Sequence, residues 1–169
     1  PQVLAHAFDS DDRDGIQRDV PIADWQDIVK NPIGAYWTSP PLFDAIMLRG
    51  KRPRDLDPPR ASIVIVTDGE ENNSTFCTLD QAKAILDWMR AKGWQVTFIG
   101  AEFNNWSQAR ALGANENTSI GVQQKLLPEA TSALAKKRAQ YGLYGTPMHY
   151  SDDEKQQFGG YLNPPKGGA

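Results

Sequence analysis

The 169-residue chain contains a single cysteine, Cys77, and two histidines, His6 and His149. One cysteine excludes a disulfide within the chain and favours a reducing compartment, so we expect a cytoplasmic protein. The same scarcity excludes the Cys/His spacing of a structural zinc site. Long apolar runs are also missing. None approaches the ~20 residues that cross a bilayer, and we expect no association with a membrane.

Excess positive charge is absent as well. Lys and Arg total 18 against 21 Asp and Glu, a formal net charge of −3. Nucleic-acid binding usually requires a basic field, so we do not expect it here. The basic cluster of Lys51, Arg52 and Arg54 is offset by Asp55 and Asp57 and is interpreted as a solvated loop.

The 40% hydrophobic content suits one globular domain with a sizeable core. Apolar strand patterns alternate with helix patterns, and this order predicts a parallel α/β sheet with right-handed crossovers. The predicted elements are hairpin strands 3–8 and 16–20, a short helix 42–48, a charged loop 51–60, a strand 61–67, a helix 78–92, a strand 94–99, a short helix 107–112, a strand 118–120, a helix 126–141 and a small helix after Ser151.

Two of these strands carry continuous apolar runs. Ile63 to Val66 and Val96 to Ile99 flank a helix that opens with a capping box, Thr78 with Gln81 three residues later. Continuous apolar character is typical of strands covered on both faces. We therefore predict that the two strands are adjacent, parallel and buried on both faces.

The first of these strands runs directly into acids and amides, in the stretch VTDGEENN from Val66 to Asn73. Ligands in open α/β sheets bind beyond the carboxyl ends of the strands. Asp68 is therefore predicted to lie at a functional rim. The alternative is a plain turn in which the Asp68 carboxylate is satisfied locally.

Three blocks of the sequence resemble a von Willebrand factor A domain. They are VTDGEENN, PLFDAI from Pro41 to Ile46, and GWQVTFIGAEFN from Gly93 to Asn104. The resemblance covers roughly residues 1 to 140. It implies a three-layer α/β/α fold, with a doubly wound, mostly parallel, Rossmann-like sheet and an antiparallel edge hairpin. We expect a domain over residues 1–141 and a C-terminal tail over 142–169, whose aromatic side chains pack on the domain or reach a neighbouring subunit.

The resemblance also implies a metal-ion-dependent adhesion site. Asp68 matches the aspartate of that site's third loop, whereas Pro40 stands where the second loop has a threonine. Ser39 or Thr38 would supply the hydroxyl after a local shift. The D-x-S-x-S loop is not found in this sequence. The first strand that carries it would precede Pro1, or another chain or a rearrangement would fill its place in the sheet. We expect Mg²⁺ at Asp68, Ser39 and Thr38 to bind weakly or not at all in this chain alone.

The function that this resemblance implies is a protein-interaction module, not an enzyme. Its expected partner is a protein rather than a small molecule, and the partner binds at the strand-end rim with or without Mg²⁺. One alternative is a metal-assisted phosphoryl-transfer or hydrolytic enzyme that uses Asp68 with Glu70 or Glu71. No phosphate-cradling glycine loop and no nucleophile paired with a base support that alternative. A structural subunit of a larger assembly is the third interpretation.

Overall fold

A computed structural model describes residues 2–7, 16–21, 42–67, 74–101 and 107–160 of the chain. These residues form an α/β structure, as the sequence pattern predicts. Their elements in chain order are β1 (Gln2–Ala7), β2 (Ile16–Pro21), α1 (Leu42–Leu56), β3 (Ser62–Thr67), α2 (Leu79–Ala91), β4 (Gln95–Ala101), α3 (Ser107–Ala111), β5 (Ser119–Val122), a 3₁₀ turn (Gln124–Leu126), α4 (Leu127–Tyr144), α5 (Asp152–Phe158) and β6 (Gly159–Gly160).

The main sheet has the strand order β3-β4-β5-β6. Strands β3, β4 and β5 are parallel, with Ile63 opposite Val96 and Val66 opposite Ile99. The predicted adjacency and parallel direction of these two runs are therefore confirmed. The short strand β6 pairs with β5 in the antiparallel direction and covers that edge of the sheet.

Strands β1 and β2 pair with each other in the antiparallel direction, with Gln2 opposite Pro21 and Ala7 opposite Ile16. Within the described residues this pair is a separate two-stranded sheet. Its placement at the edge of the parallel sheet therefore remains a prediction.

Successive residues of β3 and β4 contribute to two different hydrophobic clusters. Ile63, Ile65, Val96 and Phe98 belong to or pack on the first cluster, whereas Val64 and Ile99 contribute to the second. Because side chains alternate along a strand, the clusters lie on opposite faces of the sheet. The first cluster also contains Leu42, Ile46, Leu86, Met89 and Leu112; the second also contains Ile120, Val122, Leu134, Tyr141, Met148, Tyr150 and Phe158.

Burial differs between the two central runs. Val96 to Ile99 is fully buried, but Val66 is 48% exposed. The prediction that β3 is buried on both faces is therefore wrong: of its predicted run, only Ile65 is fully buried. The reason is position: β3 ends the main sheet, so among the described residues it has a strand neighbour on one side only.

Helix α1 is longer than the sequence predicts. The helix continues through Gly50 and Pro53 to Leu56, so the loop predicted from residue 51 begins only at Asp57. Proline inside a helix removes one hydrogen bond and usually breaks the helix. Here packing outweighs that cost, because α1 lies against α2 and Gly50 faces Ile85 directly. Asp57 then takes a left-handed conformation, φ 40°, which ends the helix.

Two local signals in the sequence are confirmed. Thr78 and Gln81 form both bonds of the capping box at the start of α2, and Ser151 and Glu154 do the same for α5. A capping box satisfies backbone N–H groups that a helix start leaves without partners. Gly93 follows α2 with φ 76°, as its role in ending that helix predicts.

The C-terminal part of the described chain packs on the second face of the sheet. Met148, Tyr150 and Phe158 are buried in the second cluster, and the backbone N–H of Tyr150 donates to Asn117 O at 2.8 Å. These aromatic side chains pack on their own chain, which is one of the two alternatives for the tail. None of the described helices combines the length and the apolar character needed to cross a bilayer.

Candidate functional site

A short segment that precedes α2 is hydrogen-bonded to the amino end of α1. Strand β3 ends at Thr67, and the description of the chain resumes at Ser74. The backbone N–H groups of Phe43 and Asp44 donate to Ser74 Oγ at 3.1 and 3.2 Å. A hydroxyl in this position satisfies two amides in the first turn of a helix. Ser74 therefore caps α1 although it lies 30 residues away in sequence.

Asp44 makes the reciprocal hydrogen bonds, between its side chain on α1 and the backbone of residues 75–77. Its side chain is almost fully buried, with the residue 5% exposed. The carboxylate accepts hydrogen bonds from the backbone N–H groups of Thr75 at 2.9 Å, Phe76 at 3.2 Å and Cys77 at 2.8 Å. Asp44 lies in the first turn of α1, where the helix dipole favours a negative charge. We refer to Asp44, Ser74 and the backbone amides bonded to them as the Asp44–Ser74 clamp.

The three predicted metal ligands, Asp68, Ser39 and Thr38, lie outside the described residues, as do Pro40, Glu70 and Glu71. Their neighbours in sequence are described. Asp68 follows Thr67 directly, and Ser39 precedes Leu42 by three residues, which a chain spans in at most ~11 Å. The clamp holds Leu42 and its helix start against Ser74. The structure thus shows Ser74, which lies six residues after Asp68 in sequence, beside the first turn of α1.

Sequence reasoning missed the role of Asp44, which it used only as one letter of the PLFDAI block. Two signals were present. An acid in a first helical turn is favourable by itself, and Ser74 and Thr75 are residue types whose hydroxyls often bond backbone groups at turns and helix starts. Neither signal indicates that Asp44 and Ser74 interact, because the two residues lie about 30 positions apart in sequence.

The opposite end of the sheet carries a small open pocket of about 160 Å³, lined by Arg90, Gln95, Asn115, Thr118 and His149 among others. Gln95 begins β4, so the pocket lies at the amino ends of the strands. The Arg90 guanidinium already donates to Asp87 Oδ1 at 2.8 Å and Leu112 O at 3.0 Å. The guanidinium group is the main cation of the pocket, and it is thus occupied by structural contacts. The pocket is therefore a weaker candidate binding site than the rim.

A second charged group joins α4 to the C-terminal segment. Lys137 Nζ lies 2.8 Å from Glu154 Oε1 and donates to His149 O at 2.7 Å. Partial burial acts to raise the pKa of Glu154, but the hydrogen bonds from Lys137 and Ser151 together lower it below its ordinary value. Burial, with the Glu154 charge, raises the pKa of the Tyr150 hydroxyl. These contacts fasten the segment to α4 and lie on the second face, away from the rim.

Among the residues that the structure describes, no three His, Cys, Asp or Glu side chains converge as a metal site requires. Comparisons with protein-family models, with curated proteins and with solved structures find no match to this chain.

Proposed function

We propose that the chain is a protein-interaction module of the von Willebrand factor A type, which binds a partner protein at the carboxyl-end rim of its sheet. In this proposal the fold is a three-layer α/β/α arrangement, with a doubly wound sheet and the β1–β2 pair at its antiparallel edge. The two hydrophobic clusters on opposite faces of the parallel strands support this arrangement. The proposal assigns no catalytic residue.

The Asp44–Ser74 clamp is the observation that carries the proposal. It ties the start of α1 to the segment that returns from the carboxyl end of β3. Residues 74–77, which follow the acidic stretch in sequence, are thereby held beside the amino end of α1, which follows Ser39 in sequence. A binding rim built from two loops requires this proximity, which neither loop provides alone.

The edge of β3 that faces away from β4 supports the resemblance. The backbone N–H of Gln95 donates to Ala61 O at 3.1 Å. This bond determines which residues of β3 direct their main-chain groups toward β4. In a parallel ladder the main-chain groups of Ser62, Val64 and Val66 then point away from β4. Within the described ranges no strand pairs there. A first strand, such as the resemblance implies, would pair with these groups and cover Val66.

We propose that any Mg²⁺ at the rim is held by Asp68 with Ser39 or Thr38. When bound, the ion would offer an open coordination position to a carboxylate of the partner protein. One carboxylate and one or two hydroxyls hold Mg²⁺ poorly, because this ion keeps its waters and demands near-octahedral geometry. The expected dissociation constant in this chain alone is therefore weaker than about 10 μM.

Calorimetric titration with Mg²⁺ or Mn²⁺ tests the metal part of the proposal. The control is Asp153→Ala, which removes an exposed acid from α5, on the second face. Binding tighter than about 10 μM that disappears in Asp68→Ala but persists in Asp153→Ala would show that the rim site is stronger than its donor set suggests.

A retention experiment tests the interaction itself. The immobilised chain is exposed to candidate partner proteins in Mg²⁺ and in EDTA, beside its Asp68→Ala and Asp153→Ala variants. The proposal expects a partner that Asp153→Ala retains and Asp68→Ala loses. Turnover of an aryl phosphate that requires Mg²⁺ and Asp68 would instead favour the metal-assisted enzyme. Retention that is equal in all variants would place the binding surface away from the rim.

A further inference from the structure

We infer that the small pocket at the amino ends of the strands binds a small oxyanion, a phosphate or a carboxylate group. Three parts of the chain line it: the end of α2 with the start of β4, the loop before β5, and the segment between α4 and α5. The described lining residues are Arg90, Gly93, Trp94, Gln95, Val96, Asn115, Thr118 and His149. None of these described residues is acidic. The inference concerns the end of the sheet opposite to the rim and does not depend on the proposed function.

The size of the pocket limits what it can hold. Its volume is about 160 Å³, the space of roughly five waters, since one water takes up about 30 Å³ in the liquid. Pockets for drug-sized ligands measure about 300–1,000 Å³. The pocket therefore accommodates one small group with a few waters, and a nucleotide is too large for it.

Two amide side chains in the lining have a fixed orientation. The backbone N–H of Met148 donates to Gln95 Oε1 at 3.1 Å. The backbone N–H groups of Asn117 and Thr118 donate to Asn115 Oδ1 at 3.0 and 3.1 Å. A side-chain amide carries one carbonyl oxygen and one NH₂ group, and only the oxygen accepts such bonds. The NH₂ groups of Gln95 and Asn115 are therefore the parts that remain to bond a ligand, and both are donors.

Main-chain oxygens of the lining are engaged as well. Five of these residues have a carbonyl oxygen that accepts a hydrogen bond from elsewhere in the protein: Arg90, Gly93, Asn115, Thr118 and His149. The bonding capacity left in the described lining is thus mainly that of donors. A ligand rich in acceptors matches this lining better than one that carries its own donors.

Arg90 adds a positive charge to these donors. Its bonds to Asp87 Oδ1 and Leu112 O use two of the five N–H donors of a guanidinium, so these bonds hold the planar group in place and leave other donors for a ligand. Asp87 also pairs with Lys83, whose hydrogen bond is the largest cause that lowers the pKa of Asp87. One carboxylate thus serves two cations, and the net charge of the three groups is positive. The guanidinium fork is suited to phosphate and carboxylate oxygens.

The experiment replaces each lining amide with the acid of the same shape. Gln95→Glu and Asn115→Asp keep the oxygen that the backbone N–H groups need, but exchange the NH₂ donor for a negatively charged oxygen. Gln156→Glu is the matched control, because it makes the same chemical change at an exposed position of α5. The 169-residue chain and the three variants are titrated with inorganic phosphate and, separately, with acetate. Chloride keeps the ionic strength constant, and NMR spectra follow the side-chain NH₂ signals of Gln95 and Asn115.

In the unsubstituted chain we expect at least one of the two anions to shift both NH₂ signals to saturation, with a dissociation constant on the order of 1 mM. The anion that binds more tightly identifies the ligand as a phosphate or a carboxylate. Gln95→Glu and Asn115→Asp should each weaken this binding about tenfold or more, because the anion loses a donor and meets a like charge. Gln156→Glu should stay within about twofold of the unsubstituted chain.

Two results would overturn the inference. One is a shift that grows linearly with both anions in the unsubstituted chain, without saturation. The other is unchanged affinity in folded Gln95→Glu and Asn115→Asp variants. Thermal unfolding establishes that each variant is folded, and if one is not, the other decides together with the titration of the unsubstituted chain.

Discussion

Replacing Gly50 with alanine sets two opposing effects against each other in the middle of α1. Alanine is a better helix former than glycine by about 1 kcal/mol. At Gly50, however, a methyl group would overlap Cγ2 of Ile85 on α2, with Met89 Cε also in contact. Forcing an extra methyl into packed surroundings costs about 1–3 kcal/mol. We therefore expect Gly50→Ala to range from nearly neutral to about 2 kcal/mol destabilising.

Gly142 supplies a matched control inside α4. A Cβ added there meets no heavy atom within 4 Å, so Gly142→Ala should show the helix-propensity gain alone, up to about 1 kcal/mol. Urea denaturation followed by circular dichroism measures both variants. The free energies of unfolding should differ by about 1–3 kcal/mol, with Gly142→Ala the more stable.

Shortening Ile85, the side chain that a methyl group at Gly50 would overlap, tests this explanation. Ile85→Ala removes Cγ2, so Gly50→Ala should be less damaging in that background than in the unsubstituted chain. If Gly50→Ala stabilises the protein as much as Gly142→Ala does, α1 and α2 are not in close contact at this point, and the explanation given for the length of α1 fails with it.

Three further substitutions test other parts of the structure. Val64→Asp places an unpaired charge against the second cluster and should abolish cooperative unfolding, which urea titration would reveal. Glu154→Gln removes a carboxylate whose pKa is lowered in the folded state. The carboxylate therefore stabilises the fold above the ordinary glutamate pKa, and this stabilisation is lost as the pH falls through the folded-state pKa. The difference in free energy of unfolding between Glu154→Gln and the unsubstituted chain should thus narrow from pH 7 to pH 3. Ser151→Ala should cost about 1 kcal/mol through loss of the α5 cap, measured by thermal unfolding at neutral pH, and an unchanged midpoint would contradict that role.

The parts of the fold that were predictable from sequence have local causes. Thr78 with Gln81 and Ser151 with Glu154 are capping boxes, whose bonds join residues three apart. The continuous apolar run from Val96 to Ile99 is likewise a property of the segment itself, and the structure confirms that this run is buried. Signals of this kind can be evaluated without knowing where the rest of the chain lies.

The errors arose where distant residues decide the outcome. The helix α1 passes Pro53 because of packing against α2, and the local sequence around a proline carries no information on that contact. Val66 is exposed because β3 ends the described sheet, a position that an apolar run cannot reveal. The clamp at Asp44 depends on amides more than 30 residues away. The predicted ligands Asp68, Ser39 and Thr38 lie outside the described residues and stay predictions.

The division of the core into two clusters has a consequence for synthesis of the chain on the ribosome. Among the described residues, those that cover the first face of the sheet end at Ala114, whereas the second face is also covered by Met148, Tyr150 and Phe158. Translation at about 5–20 residues per second takes roughly 2–9 seconds to add the intervening stretch. During that interval Ile99 and Ile120 lack part of their cover, so chaperone binding to the nascent chain should concentrate on this face.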